Sequence, residues 1–171
     1  MMVKKLLLLT TGGTIEKSYS ESEGLLSNRE SVLREKLLSR LRLPATRIEI
    51  TEIMAKDSLD MDDNDREIIF VKIKDHMHDF DGIVVLHGTD TIHKSMKHCE
   101  VREPAPKCPV VFTGAMKPAG FDDSDALQNF TEAIFAAQVS EPGYYLSFHG
   151  QLFKGSNVVK NREARTFEYA K

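Results

Sequence analysis

The sequence predicts a three-layer α/β domain with a mainly parallel sheet, and three observations support this fold class. Short apolar runs alternate along the chain with longer segments of helical period, which is the pattern of βαβ units. The chain has 171 residues, a length that a single hydrophobic core can organise. Apolar residues make up 41% of the chain, enough to build that core. We therefore expect one domain spanning residues 1–171.

Five predicted strands form the sheet. Each is a short and nearly continuous apolar run, as expected for strands of a parallel sheet that is covered on both faces. A parallel sheet with helices on both sides is a Rossmann-like or flavodoxin-like arrangement. The predicted strands lie near residues 3–9, 47–53, 82–87, 110–113 and 144–148.

Four predicted helices connect these strands. In the first, Leu33, Leu37 and Leu41 repeat at helical spacing, and Pro44 prevents continuation. Ser124 is the expected N-cap of the fourth, because its hydroxyl can accept a backbone N–H of the first turn. The predicted helices cover residues 29–41, a segment that starts near Asp62, and residues 91–101 and 124–138.

Composition and patterning argue against several classes of partner. The formal net charge is −3 and the isoelectric point is near 6.1, so no excess of positive charge attracts nucleic acid or an anionic membrane. No apolar stretch approaches the roughly 20 residues that cross a bilayer. The opening run is shorter than that of a secretory leader and ends in a glycine turn, so we expect a core strand there. Cys99 and Cys108 form no disulfide framework, and we expect a cytoplasmic protein with reduced thiols.

Polar loops follow four of the predicted strands, at the carboxyl ends where ligands bind in folds of this class. Two of them combine glycines with hydroxyls, namely TTGGTIE over residues 10–16 and HGTDT over residues 87–91. Glycine allows close backbone approach, so both turns can present a threonine and bare N–H groups to a substrate. Residues 15–28 then form a connection longer than the roughly 4–6 residues usual in compact domains, and we expect a lid or a disordered segment there.

These two segments occur together with DSLDM at 57–61, PVVFTGAMKP at 109–118 and VKN at 159–161. In this order and with this coverage they resemble the bacterial-type L-asparaginase/glutaminase family. The resemblance extends over the family's larger N-terminal domain, and the further C-terminal domain of that family has no counterpart here. We therefore expect a short-chain, single-domain form.

The resemblance implies hydrolysis of L-asparagine to L-aspartate and ammonia through an acyl-enzyme, with minor activity on L-glutamine. It assigns Thr14 as the nucleophile, and Tyr19 as the residue that helps to activate this weakly reactive hydroxyl. Thr89 and Lys160 form a second polar pair, in which a desolvated lysine can accept a proton. No metal and no organic cofactor is required.

The resemblance also assigns the binding residues. Asp90 matches the carboxylate that binds the α-amino group of the substrate, and Ser58 matches the residue that holds its α-carboxylate. Backbone N–H groups at the turns of Gly13 and Gly88 are expected to stabilise the oxyanion. In longer members the C-terminal domain contributes an acidic residue to a neighbouring subunit's site. If that sharing persists, we expect a homo-oligomer that uses another interface.

Each of these roles has a structural alternative. Thr14 could simply end a strand turn, Asp90 could cap the third helix, and Ser58 could cap the turn before the second. Without the family pattern, Lys160 would be read as a solvated charge, and Tyr19 as a residue that packs in its loop.

Two other functional classes stay open beside the hydrolase. One is a non-catalytic amino-acid-binding or regulatory domain that retains the site. The other is a glycine-loop binder of phosphate or nucleotide, which is disfavoured because the chain has neither a P-loop nor a GxGxxG fingerprint. A metal site at His87, Asp90 and His93 would require these side chains to converge across a strand-to-helix turn, and is also disfavoured.

Overall fold

The computed structural model describes residues 2–20, 25–28 and 37–171. Within these residues there are three α-helices, namely α1 (Asp63–His76), α2 (Ile92–Arg102) and α3 (Ala126–Val139). The strands, in chain order, are β1 (Lys4–Thr10), β2 (Lys17–Ser20), β3 (Leu25–Asn28), β4 (Thr46–Glu52), β5 (Gly82–Leu86), β6 (Pro109–Thr113), β7 (Gly143–Phe148), β8 (Gln151–Lys154), β9 (Val158–Asn161) and β10 (Thr166–Tyr169).

The main sheet has six strands in the order β4-β1-β5-β6-β7-β8. All neighbours are parallel except β8, which pairs with β7 in the antiparallel sense. All five predicted strands are present in it, and the predicted mainly parallel α/β sheet is confirmed. The order β4-β1-β5-β6-β7 places the carboxyl ends of the strands that carry the polar loops along one edge.

The core consists of two layers, one on each face of the sheet. Alternation along β1 sends Leu7 and Leu9 to the face covered by α1 and α2, and Leu6 and Leu8 to the face covered by α3. These four leucines are at most 1% exposed. The same alternation in β5 and β6 completes the two layers, so the three-layer prediction is confirmed.

The helices agree with the prediction except at their ends and in the first segment. Helix α1 begins after Asp62, whose carboxylate caps it in a reciprocal capping box with Asp65. Helix α3 begins at Ala126 with Asp125 in the N-cap position, so the prediction of Ser124 at that position is wrong, although the Ser124 hydroxyl does accept the Ala126 N–H. Of the helix predicted at 29–41, residues 29–36 lie outside the described residues, and Leu38–Arg40 form a 3-10 turn.

Three hairpins were not predicted. Strands β2 and β3 pair within the segment expected to be a lid or disordered. The paired residues therefore have regular secondary structure, and the lid stays a prediction. A turn at His149 and Gly150, both with positive φ, joins β7 to β8. The hairpin β9–β10 is held to the domain by Phe167, which is 1% exposed and packs edge-on against Phe148 with ring centroids 5.0 Å apart. None of the helices described is long and apolar enough to span a membrane.

Candidate active site

The glycine turns after β1 and β5 touch each other. Gly13 has a φ of +89°, and a Cβ atom built on it would lie 2.7 Å from both Cα and N of Gly88. That separation is too short for a real side chain. Position 13 therefore requires glycine for two reasons, its positive φ and the close approach of Gly88. Thr14 and Thr89 are the residues that follow these two glycines. The turns that carry the two predicted threonines are therefore packed against one another.

A third loop joins them through Ser58. A Cβ atom on Gly88 would lie 2.6 Å from both Cβ and Oγ of Ser58. The Ser58 side chain is 1% exposed, and its hydroxyl has no hydrogen-bond partner among the described residues. The alternative role for Ser58 as a cap is wrong, since the Asp57 carboxylate caps this 3-10 turn by accepting the Leu59 N–H. An unpaired buried hydroxyl is costly unless a ligand or water supplies a partner.

The hairpin β9–β10 brings Lys160 to the turn after β5. Its Nζ lies 2.7 Å from Oγ1 of Thr89 and 3.1 Å from Oδ1 of Asp90. The Lys160 side chain is 15% exposed, so the alternative of a solvated charge is wrong. Arg162 reaches the same Oδ1 atom at 2.9 Å from the exposed side. Asp90 does not cap α2, because Thr91 holds the N-cap position and donates its own hydroxyl to the Ser58 carbonyl.

Thr14 opens a 3-10 turn, Thr14–Glu16, at the mouth of the first glycine turn. Its side chain is half-buried, and its hydroxyl forms no hydrogen bond with the described residues. The structural alternative, a hydroxyl used only to close a turn, has no support in these contacts. Tyr19 lies in β2, opposite Leu26. The position of the Tyr19 side chain lies outside what the structure describes.

The buried carboxyl group of Glu16 lies beneath the first glycine turn and was not singled out from the sequence. Its Oε2 accepts the Gly12 N–H at 2.7 Å, and the residue is 5% exposed. Burial raises the pKa of Glu16 from 4.5 to about 7, against the opposing hydrogen bonds from Gly12 and Thr10. A glycine loop that binds phosphate needs free backbone N–H groups, but the Gly12 N–H is already bonded to this carboxyl group. The contact therefore argues against the phosphate-binding hypothesis for this loop.

Glu16→Gln is expected to raise the free energy of unfolding by about 3 kcal/mol at pH 8.5 and by less than about 1 kcal/mol at pH 5. The folded-state pKa lies above the unfolded one. The contribution of Glu16 to stability is therefore complete below pH 4.5 and is lost as the pH rises through about 7. Glutamine keeps an oxygen for the Gly12 N–H but does not ionise. Urea denaturation of both proteins at the two pH values measures the difference.

Glu163→Gln is the matched control, because Glu163 is exposed in the turn of the β9–β10 hairpin. It should change stability by the same small amount at both pH values. A Glu16→Gln effect that is equally independent of pH would contradict the raised pKa of the buried carboxyl group.

His87 is fully buried, and both of its ring nitrogens are occupied. Nδ1 lies 2.8 Å from the Gly88 carbonyl, which can only accept, so Nδ1 carries the proton. Nε2 then accepts from the Ser95 hydroxyl at 2.8 Å. Burial lowers the pKa of His87 to about 4, so the ring is neutral. No cluster of potential metal ligands occurs among the described residues, and His87 has no ring nitrogen left for a metal.

Asp125 holds the loop that follows β6, another role that the sequence did not reveal. Its carboxylate accepts the N–H groups of Met116 and Lys117 at 2.9 and 3.0 Å and faces Nε2 of His149 at 2.8 Å. Burial acts to raise the pKa of Asp125, but these donors prevail and hold it below its usual value. In the same loop, a Cβ atom on Gly114 would lie 3.3 Å from the Thr89 methyl group. The fourth loop therefore also borders the site.

Comparisons with known proteins identify the family to which the chain is similar. The model of the asparaginase N-terminal domain family matches residues 5–169. The L-asparaginase of Thermococcus kodakarensis is 33% identical over 158 residues, which are 91% of this chain and 47% of that protein. L-asparaginase 1 of Escherichia coli is 32% identical over 167 residues, 94% of this chain and 48% of that protein. One component of the glutamyl-tRNA(Gln) amidotransferase of Archaeoglobus fulgidus is 27% identical over 92% of this chain and 39% of its own.

The fold comparison gives the same result. The solved structure of the thermostable L-asparaginase from Thermococcus kodakarensis superimposes with a TM-score of 0.86 and 30% identity, covering 96% of this chain and 51% of that one. This chain spans about half the length of the asparaginases that it matches. The resemblance identified from the motifs is confirmed, and the chain belongs to the asparaginase family, over the N-terminal domain of that family.

Proposed function

We propose that the chain hydrolyses the side-chain amide of L-asparagine to L-aspartate and ammonia. The observation that carries this proposal is the contact of Lys160 Nζ with Thr89 Oγ1 at 2.7 Å, beside Asp90 and on a turn that touches the turn of Thr14. A hydroxyl nucleophile needs proton-transfer groups and hydrogen-bond donors held in one place, and this arrangement supplies both. The two relatives named as L-asparaginases support the same chemistry.

In the proposed reaction, Thr14 Oγ1 attacks the amide carbon and gives up its proton. The C–N bond breaks, ammonia leaves with the transferred proton, and the acyl group stays on Thr14 as an ester. Water then attacks the ester, the C–O bond to Thr14 breaks, and L-aspartate leaves while the hydroxyl regains its proton. We assign the activation of Thr14 to Tyr19, and the stabilisation of the oxyanion to backbone N–H groups at the turns of Gly13 and Gly88.

Thr89 and Lys160 are proposed to prepare the second step. Because Lys160 Nζ lies 2.7 Å from Thr89 Oγ1, Thr89 can take the proton of the attacking water while its own hydroxyl proton passes to a neutral Lys160. The hydrogen bond also fixes the threonine rotamer, so the group is held in position before the substrate arrives.

Ser58 and Asp90 are proposed to bind the amino-acid end of the substrate. The unpaired Ser58 hydroxyl can donate to the α-carboxylate. Both cations near Asp90 contact Oδ1, and Oδ2 makes no hydrogen bond with the described residues, so it can accept from the α-ammonium group. Minor activity on L-glutamine, a homo-oligomeric state and a cytoplasmic location stay predictions from the sequence.

Ammonia release from L-asparagine, L-glutamine and succinamate, measured in parallel on the purified chain, tests this proposal. We expect kcat/KM for L-asparagine to exceed that for L-glutamine by about 10–200-fold, the range for one methylene in a pocket. Succinamate lacks the α-amino group and should lose most of the activity if Asp90 binds that group. No ammonia from any of them, with thermal stabilisation by L-aspartate, would instead indicate the non-catalytic amino-acid-binding domain.

A further inference from the structure

A pocket of about 300 Å³ lies between helices α1 and α2, outside the proposed active site. Residues at positions i, i+3, i+4 and i+7 lie on the same face of a helix. The face of α2 that lines the pocket has this spacing and consists of Lys94, Lys97, His98 and Val101. Arg66 faces them from α1, and Arg102 completes the wall. The lining is therefore predominantly basic.

The positive charges of this pocket are only partly compensated. Glu67 lies 2.7 Å from Nε2 of His98 and 2.8 Å from Nη2 of Arg102. Lys94 and Lys97 are exposed, and neither forms an ion pair with a carboxylate in the part of the chain that the structure describes. The pocket and its rim therefore contain two arginines and two lysines but only two carboxylates, those of Asp63 and Glu67. The formal net charge of the whole chain, in contrast, is −3. The local charge is opposite in sign to that of the whole chain.

Arg66 is the buried member of the set. Its side chain is only 10% exposed, Nη1 pairs with Asp63 at 3.0 Å, and Nη2 donates to the Met61 carbonyl at 3.0 Å. The buried Nε–H has no acceptor among the described residues. A buried guanidinium with an unused donor is costly unless an acceptor is supplied. The positive charge also reaches His93, whose pKa is lowered first by burial and then by Lys94 and Arg66.

We propose that this pocket binds a small anion through its phosphate group, with Lys94 and Lys97 as the exposed donors and Arg66 as a fixed positive charge in the wall. Guanidinium and ammonium groups form short, charge-assisted hydrogen bonds with phosphate oxygens. A carboxylate of the substrate type offers less charge for the same space, so a doubly charged phosphate fits four cations better. The pocket is then a second ligand site that does not depend on the proposed hydrolysis.

Isothermal titration of the chain with inorganic phosphate and with adenosine monophosphate, at constant ionic strength, tests the site. We expect saturable binding with a stoichiometry of one. The double variant Lys94→Gln/Lys97→Gln should weaken it at least about tenfold, the effect of roughly one charge-assisted hydrogen bond. Tighter binding of inorganic phosphate supports a site for the free anion, whereas tighter binding of adenosine monophosphate supports a site for a phosphomonoester.

The control removes two exposed lysines elsewhere, Lys107→Gln and Lys154→Gln, and should leave both affinities unchanged. An equal loss in the two double variants would mean nonspecific attraction by surface charge and would overturn the proposal. So would the absence of saturable binding by the unmodified chain. Neither result bears on ammonia release, because no pocket residue belongs to the proposed hydrolytic site.

Discussion

Thr14→Ala is expected to lower kcat for ammonia release from L-asparagine by at least about 10⁴-fold. Alanine removes the only atom proposed to form the acyl bond, so neither half of the reaction can proceed on this turn. The substitution should leave the fold intact, since the Thr14 hydroxyl makes no hydrogen bond with the described residues and its side chain is only half-buried. Coupled ammonia assays and circular dichroism measure the two effects.

Binding should survive this change, because Ser58 and Asp90 are untouched. We therefore expect L-aspartate to raise the melting temperature of Thr14→Ala by as much as that of the unmodified chain. Thr131→Ala is the matched control, because Thr131 is an exposed threonine on α3 whose hydroxyl donates to the Leu127 carbonyl, and this variant should retain full activity. Ammonia release by Thr14→Ala above one tenth of the unmodified rate would assign the nucleophile to another residue.

Lys160→Met is expected to lower kcat by about 10³-fold, within the range for the loss of a positioned proton-transfer group. Methionine has a similar length but cannot donate to Thr89 Oγ1, so that hydroxyl loses its fixed orientation. Asp90 keeps Arg162 as a partner at 2.9 Å, which limits the effect on binding and on KM. Steady-state kinetics separates the two parameters.

A double-mutant cycle with Thr89→Val tests whether Lys160 acts through Thr89. If it does, the double variant should be no slower than the slower single variant, because both substitutions remove the same interaction. Lys154→Met, an exposed lysine of β8, should have no effect on kcat. Fully additive losses in the cycle would contradict a shared role for the two residues.

The central strands were predictable because their signal is local. Nearly every residue of β5 and β6 is apolar, and β1 contains four consecutive leucines, because helices cover both faces of the sheet. Such runs are visible in the sequence without knowledge of their neighbours. Strands β8, β9 and β10 have four residues each and one buried residue apiece. A pattern that short does not distinguish a strand from a polar loop, so tertiary packing decides.

The candidate site also has one part that could be predicted from local sequence and one part that could not. Its turns were located from the sequence because glycine and hydroxyl residues directly follow buried strands, and the topology brings those ends together. Glu16 was not recognised because glutamate is almost always exposed, and its burial follows only from the fold of the turn over it. Arg162 was missed for the opposite reason, since an exposed arginine near a chain's end has no local signal that links it to Asp90, 72 residues earlier.

The β9–β10 hairpin is synthesised after all the strands of the main sheet. All five parallel strands of the main sheet are complete once Phe148 has emerged from the ribosome. Lys160 pairs across the hairpin with Phe167, and the contact with Thr89 spans 71 residues. A nascent chain can therefore build its sheet while the centre at Thr89 and Asp90 still lacks its lysine. The contact between Lys160 and Thr89 therefore forms after the five parallel strands have been synthesised.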